Sequence, residues 1–166
     1  NKAKLLQTAI TTLKTNESNL CDKIANLLQE NKEMKAEIAK VQAERAKADS
    51  NKLLMALKEY NGVNVIVGKI QAANMDELRN SADLLCNKFD KAGVVVLGAV
   101  LNDKVNFVVK ANKDGVARGL HAGKIVKEVA MMAGGNGGGR PDMAQAGGKQ
   151  PEKLNDAFAK AHEVIQ

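Results

Sequence analysis

A run of regularly spaced apolar residues near the N-terminus constrains the fold more than any other feature of the sequence. The spacing alternates between four and three residues, which places one stripe along a helix: Leu20, Ile24, Leu27, Asn31, Met34, Ile38 and Val41. Asn31 is the one polar member, and a buried asparagine at such a position fixes register while lowering stability. The pattern predicts a helix from about Glu17 to Glu59, roughly 60 Å long at about 1.5 Å per residue.

A shorter helix precedes this stripe, with Leu6, Ile10 and Leu13 at the same spacing and an interruption at 15–18. Residues 1–60 are therefore expected to form a helical arm. Two compatible interpretations remain open. The short helix folds back as a hairpin and covers the long one, or the exposed part of the stripe pairs with a second subunit. In the second case the seven stripe residues are the dimerisation candidates of a homodimer.

Residues 61–166 are predicted to form a globular α+β domain. The pair Asn61-Gly62 indicates a turn, and apolar alternation or continuous apolar runs predict strands at 63–67, 94–101, 104–110 and a short edge strand at 143–146. Helical spacing predicts a helix that opens at Asn74, another at 114–132 and a last one that starts at Pro151. The order is βαββαβα, which favours two layers, a mixed sheet on one side and helices on the other.

The segment 134–148 is the second unusual feature, because seven of its fifteen residues are glycine. Glycine lets the backbone approach another surface closely, so a glycine-rich loop is expected here. A dinucleotide fingerprint is excluded because its third glycine is replaced by Arg140. A phosphate-binding P-loop is excluded because Arg140-Pro141 stands where Lys-Ser/Thr is required.

Charge is concentrated around this segment. The chain has 25 Lys and Arg against 19 Asp and Glu, for a net charge of +6, and residues 104–149 hold eight of the basic residues and three of the acidic ones. Such a local excess favours a phosphate-binding patch, although scattered surface lysines are the plainer alternative. The candidate RNA-binding residues are Lys110, Lys113, Arg118, Lys124, Lys127 and Arg140, with Gly137, Gly138 and Gly139 for close backbone approach.

Gln145 is a further candidate, because its amide can bond a base edge or a sugar, or else the glycine backbone itself. Aromatic residues make up only 2 % of the chain, so stacking of bases on aromatic rings is nearly unavailable.

Catalysis is not expected in these residues. His121 and His162 have no neighbouring Cys, His or Asp at metal-ligand spacing, and no Ser-His-acid set can be built. Cys21 and Cys86 are expected to be free thiols in a reducing compartment, and no membrane span or secretory leader is visible. The sequence thus predicts no catalytic residue, no metal, no cofactor, and a cytoplasmic location without membrane contact.

The string G-G-G-R-P-D-M-A-Q-A-G-G at 137–148, preceded by His121-Ala-Gly123, resembles the signature of the DHH-associated C-terminal domain of alanyl-tRNA synthetase, more closely that of bacterial enzymes. The resemblance implies a tRNA-binding appendage that docks the outer corner of tRNA and helps to link aminoacylation with editing. It also implies that the chain sometimes dimerises and that its parent is an alanine–tRNA ligase.

Two alternatives to this function remain. One is an accessory substrate-binding domain of a DHH-type phosphoesterase, which needs an upstream Asp-His-His centre that these residues lack. The other is a purely structural self-association module.

Overall fold

The computed structural model describes all residues from Asn1 to Gln166, which divide into two compact units, 1–43 and 44–166. The first unit holds helix α1, Lys2–Leu13, and most of helix α2, Leu20–Met55. The side chain of Asn1 caps α1 by accepting a hydrogen bond from the amide of Ala3, and Lys14 ends the helix in the left-handed conformation.

The apolar stripe of α2 stays open to solvent. Ile24, Leu27, Met34, Ile38 and Val41 retain between 37 % and 56 % of their exposure, and no residue of α1 is buried. Helix α1 therefore does not bury these five residues within one chain, although Ile10, Leu13 and Leu20 are half-buried.

Helix α2 ends at Met55 rather than near Glu59, and strand β1, Lys58–Tyr60, follows it. The helical arm therefore does not extend to residue 60. Strand β1 pairs antiparallel with strand β2, Val63–Lys69, through the turn at Asn61-Gly62, where both residues have positive φ. Three residues are too few to show an alternating pattern, so the sequence identified the turn without the strand before it.

The second unit is built on a six-stranded mixed sheet in the order β1-β2-β3-β4-β6-β5. The remaining strands are β3, Gly93–Leu101; β4, Lys104–Ala111; β5, Asn136–Gly139; and β6, Met143–Gly148. Only β2 and β3 are parallel, and every other neighbouring pair is antiparallel. The other helices are α3, Met75–Cys86; α4, Lys113–Ala117; α5, Ala122–Met132; and α6, Leu154–Ile165, which a single 3₁₀ turn at Pro151–Lys153 precedes.

Apolar side chains project from both faces of the sheet. On one face, Val94 and Val96 of β3 join a core built with α5 and α6. On the other face, Val95 and Leu97 join a second core built with α3 and with Leu53 of α2. The α+β class with a long N-terminal helix and a mixed sheet is confirmed, but helices lie on both faces and not on one. The unbroken apolar run of β3 reflects this double burial.

The helix predicted at 114–132 is two helices. Gly119, with φ +97°, separates α4 from α5. Asn112 caps α4 through a 2.8 Å bond from the amide of Gly115, and His121 caps α5 through a 3.3 Å bond from the amide of Lys124. Met132, the last residue of α5, is 41 % exposed.

Stability should depend on pH through His162 of α6, which contacts Tyr60 of β1 with 3.4 Å between Nδ1 and the hydroxyl. Burial lowers the pKa of His162 from its ordinary value, and nearby Lys58 lowers this pKa further. Because the folded state favours the neutral ring, this contribution is present above the unfolded-state pKa of about 6.5 and is lost as the pH falls through the folded-state pKa. Urea unfolding at about pH 7.5 and about pH 5 should show a smaller difference for His162→Gln than for the wild type. Equal differences would contradict this role of His162.

Candidate nucleic-acid interface

The glycine-rich segment is a β-hairpin and not a loop. Strand β5 pairs with β6 over Gly139↔Ala144 to Asn136↔Gly147, and the turn at Pro141-Asp142 is closed by a 2.9 Å bond from the amide of Arg140 to the carbonyl of Met143. Strand β6 also pairs with β4, so β5 and not β6 is the edge strand of the sheet. The expected edge position of 143–146 is therefore wrong. The sequence did not predict β5, because three of its four residues are glycine, which has low β-propensity.

Most of these glycines serve packing within the chain. A Cβ at Gly135 would overlap the carbonyl group of Gly147, and one at Gly139 would lie 2.7 Å from Cα of Ala144. Helix α5 approaches equally closely, since a Cβ at Gly123 would lie 2.6 Å from the carbonyl oxygen of Gly139. Among the three glycines predicted to admit a partner, Gly137 and Gly139 have no room for one more atom. Gly138 alone of these three faces open space.

Helix α5 covers one face of β4, β6 and β5, and the opposite face of β6 and β5 is open to solvent. Register places five residues side by side there, and we call them the open face: Asn106, Asn136, Gly138, Gln145 and Gly147. All are exposed except the half-buried Asn106. The side chain of Gln145 forms no hydrogen bond within the chain, so the structural bond to the glycine backbone is not observed.

Arg140 lies at the tip of the hairpin, and its guanidinium contacts Asp142, with 3.2 Å between Nε and Oδ1. Its side chain is 76 % exposed, so this ion pair is open to water and to competing anions. The start of α5 packs against the same tip through a 2.8 Å bond from the amide of Ala122 to the carbonyl of Pro141. Lys124 follows in the first turn of that helix and is exposed.

A cavity of about 470 Å³ adjoins the tip. Its polar lining comes from Asn87 at the end of α3, Lys110 at the end of β4, Asn112 and Lys113 at the start of α4, and Asp142. Lys110 is half-buried and pairs with Asp83 at 3.3 Å, whereas Lys113 is exposed and forms no ion pair. The cavity thus presents one free and one paired ammonium group.

Cys86 also lines this cavity, but it is not poised for chemistry. Burial raises the pKa of its thiol to about 11; nearby Lys110 opposes this rise, and Asp83 adds to it. A thiol with this pKa stays protonated at neutral pH and is a poor nucleophile. Across the chain, no three His, Cys, Asp or Glu side chains lie together in a way that could hold a metal ion.

The predicted basic residues do not form one patch. Lys110, Lys113 and Arg140 lie around the cavity and the hairpin tip, while Lys124 and Lys127 project from α5 on the opposite side of the sheet. Arg118 is separate from both groups.

Arg118 contacts the β1–β2 turn, near the edge of the sheet opposite β5. Its Nη1 donates a 3.1 Å hydrogen bond to the carbonyl of Asn61 in the β1–β2 turn, and its guanidinium lies against Gly62. This arginine holds a turn of the fold, which sequence spacing alone could not reveal.

Two lysines that were not singled out also flank the open face. Lys104 begins β4 and Lys149 follows β6, at the same end of the strand pair because Val105 lies opposite Gly148. Both are exposed. Even-numbered residues of β4 share one face, and this alternation would have identified Lys104 as a residue beside the open face.

None of the helices is both long and apolar enough to cross a membrane.

The two kinds of glycine in the hairpin can be separated by alanine substitution. Gly135→Ala should lower the free energy of unfolding by about 2 kcal/mol or more, because its methyl group would overlap Gly147. Gly138→Ala should change it by less than about 0.5 kcal/mol, because that methyl group would meet no neighbour. Urea unfolding of both variants measures the difference, and equal losses would contradict the assigned packing.

Comparison with known proteins agrees with this architecture. Residues 62–166 match the DHHA1 domain family. The chain is 44 % identical to an alanine–tRNA ligase of Alkaliphilus oremlandii over 98 % of its own length and 43 % identical to that of Bacillus subtilis over its full length. It spans only 18 % and 19 % of those two proteins.

A solved structure gives the same result. The C-Ala domain of Aquifex aeolicus alanyl-tRNA synthetase superposes with a TM-score of 0.60 and 32 % identity, over 66 % of this chain and 96 % of that domain. The chain therefore belongs to the DHHA1 domain family, and its relatives there are C-terminal domains of alanyl-tRNA synthetases.

Proposed function

We propose that the chain is the tRNA-binding C-terminal part of a cytoplasmic alanine–tRNA ligase. In this role it docks the outer corner of alanine-accepting tRNA and helps the ligase to link aminoacylation with editing. The observation that carries the proposal is the hairpin tip, where the exposed Arg140 lies between Lys113 on the cavity side and Lys124 at the start of α5. The names of the relatives favour this function over an accessory domain of a DHH-type phosphoesterase.

The tip offers what a phosphate requires. Arg140 presents a planar fork of donors that matches two phosphate oxygens. Its only ion-pair partner, Asp142, is held in an exposed pair, and such pairs contribute little to stability. Lys113 on the cavity side and Lys124 at the start of α5 lie on either side of the tip. A phosphate backbone that crosses the tip would meet Arg140 together with Lys113 on one side or Lys124 on the other.

RNA affinity should therefore depend on the tip more than on total charge. Arg140→Ala and Lys113→Ala should each weaken binding of an alanine-accepting tRNA transcript by roughly threefold to tenfold at ~0.1 M salt. Each should also reduce the slope of log affinity against log salt by about one unit, because one phosphate contact and its counterion release are lost. Filter binding at several salt concentrations measures both quantities.

Lys69→Ala is the matched control. Lys69 is equally exposed and forms no ion pair, but three strands of the sheet lie between β2 and β5. Lys69→Ala removes the same charge as Lys113→Ala but far from the hairpin tip. It should therefore leave the slope of log RNA affinity against log salt unchanged. If Lys69→Ala weakened binding as much as Arg140→Ala, net charge alone would explain the affinity and the local site would be refuted.

We also propose that the stripe of α2 pairs with a second copy of this chain. Its residues occupy the a and d positions of three heptads, with Ile24 and Ile38 at a and Leu20 and Leu27 at d, a combination that favours two strands in parallel. Their side chains remain exposed within one chain, so a partner subunit would remove apolar surface from water.

The charges beside the stripe favour a parallel, in-register pair. Glu30 precedes an a position and Lys35 follows a d position, five residues later. In a parallel pair Glu30 would face Lys35 of the partner subunit, and the same contact would recur by symmetry. In an antiparallel pair the glutamates at positions 30, 37 and 44 would flank one another and repel. Asn31, at an a position, would bond its own counterpart only in the parallel arrangement.

Cysteine cross-linking tests this arrangement. In a Cys21→Ser background, Met34→Cys should form a disulfide-linked dimer under mild oxidation, because d positions of a parallel in-register pair face each other. Lys40→Cys, on the outer side of α2, is the control and should not cross-link. A monomer in sedimentation at high micromolar concentration, or no Met34→Cys dimer, would contradict the proposal.

A further inference from the structure

We propose that the open face binds outward-facing nucleobases of the RNA, as a site separate from the phosphate contacts at the hairpin tip. This inference rests on the proposed function and deepens it, because it specifies which part of the RNA the sheet contacts. The reasoning uses the shape of the face, its hydrogen-bonding groups and the charges around it.

The open face has an uncovered backbone floor. A Cβ at Gly138 would meet nothing within 4 Å, and one at Gly147 would find its nearest atom, Oδ1 of Asn106, at 3.7 Å. The two glycines therefore leave peptide groups of β5 and β6 accessible from above. A planar base can lie on such a floor in van der Waals contact over its whole area. This arrangement compensates for the scarcity of aromatic side chains, which usually provide that surface.

The side chains around the floor are amides, which suit base edges. Gln145 lies directly beside Gly138 across the strand pair and has both its donor and its acceptor free. Asn106 lies beside Gly147, and Asn136 lies on the other side of that glycine. An amide carries a donor and an acceptor in one plane, as base edges do. No carboxylate belongs to the face, so nothing there repels an RNA strand.

Cations lie at both ends of the open face. Arg140 and Lys110 are at the tip end, and Lys104 and Lys149 are at the opposite end. Positive charge around an uncharged polar floor matches a base flanked by phosphates. A protein partner would instead require an apolar centre, and the exposed members of this face supply none. The observations therefore favour RNA.

The same geometry restricts the form of the RNA. Bases inside a continuous duplex present only their edges in the grooves, whereas a flat floor needs a base that is turned outward. The face therefore fits bases in loops, at bulges or at the end of a stacked helix, and does not fit the side of a regular duplex.

Filling the floor tests the inference. Gly138→Leu should weaken binding of an alanine-accepting tRNA transcript by roughly fivefold to tenfold, because one base loses its stacking surface. The salt slope should stay unchanged, since no charge is lost. Gln145→Ala, which cannot obstruct the fold, should give a smaller loss of about threefold, again with an unchanged slope. Ala159→Leu adds similar bulk to the exposed surface of α6 and is the control, with no expected effect.

The outcomes separate this inference from the proposed function. If Arg140→Ala weakens binding but Gly138→Leu and Gln145→Ala do not, the open face is refuted and the phosphate site stands. If none of the three variants weakens binding, the proposed function fails as well. A reduced salt slope for Gly138→Leu would show a phosphate contact and overturn the inference. So would an equal loss on a fully paired RNA duplex of the same length, which offers no outward base.

Discussion

The close contact between helix α5 and the glycine hairpin determines how β5 and β6 pack at their end of the sheet. A Cβ at Gly123 of α5 would lie 2.6 Å from the carbonyl oxygen of Gly139 in β5, and one at Gly148 of β6 would lie 2.8 Å from Cβ of Ala133 at the end of α5. Glycine is required at these two points of contact, whereas the far side of the strands is bare because two other glycines, Gly138 and Gly147, lie there. The hairpin thus combines close packing on the side of α5 with an open polar surface on the other side.

This constraint changes what the glycines mean for function. A glycine-rich sequence suggests a backbone that a ligand can approach, but the partner at Gly135, Gly137 and Gly139 is the chain itself. Gly138 points the other way because residues alternate along a strand. The chain therefore exposes its backbone at alternate positions, on the face where Gln145 and the flanking cations also lie. Within the four residues of β5, positions that pack against the chain therefore alternate with positions that face solvent.

The sequence predicted the features that depend on local periodicity. The long helix, the strands at Val63, Val94 and Lys104, and the hairpin residue Arg140 as a candidate all follow from spacing and charge. It failed where pairing partners decide the structure. Strand β1 is too short to show alternation, and β5 has almost no side chains, so both exist because neighbouring strands complete their hydrogen bonds. The contact of Arg118 could not be predicted for a similar reason, since its partner Asn61 lies 57 residues away.

The ion pair at the hairpin tip shows how such a site keeps its cation available. Asp142 could be expected to neutralise Arg140, and the two are in contact. The pair is open to water, however, so its Coulomb energy is screened and its net contribution is about 0–1 kcal/mol. A phosphate that accepts two hydrogen bonds from the guanidinium would interact more strongly than Asp142 does, and breaking the exposed ion pair would cost little free energy. Asp142 meanwhile holds its backbone role, accepting the 2.9 Å bond from the amide of Ala111. The hairpin tip would therefore keep its shape if Arg140 exchanged the carboxylate of Asp142 for a phosphate.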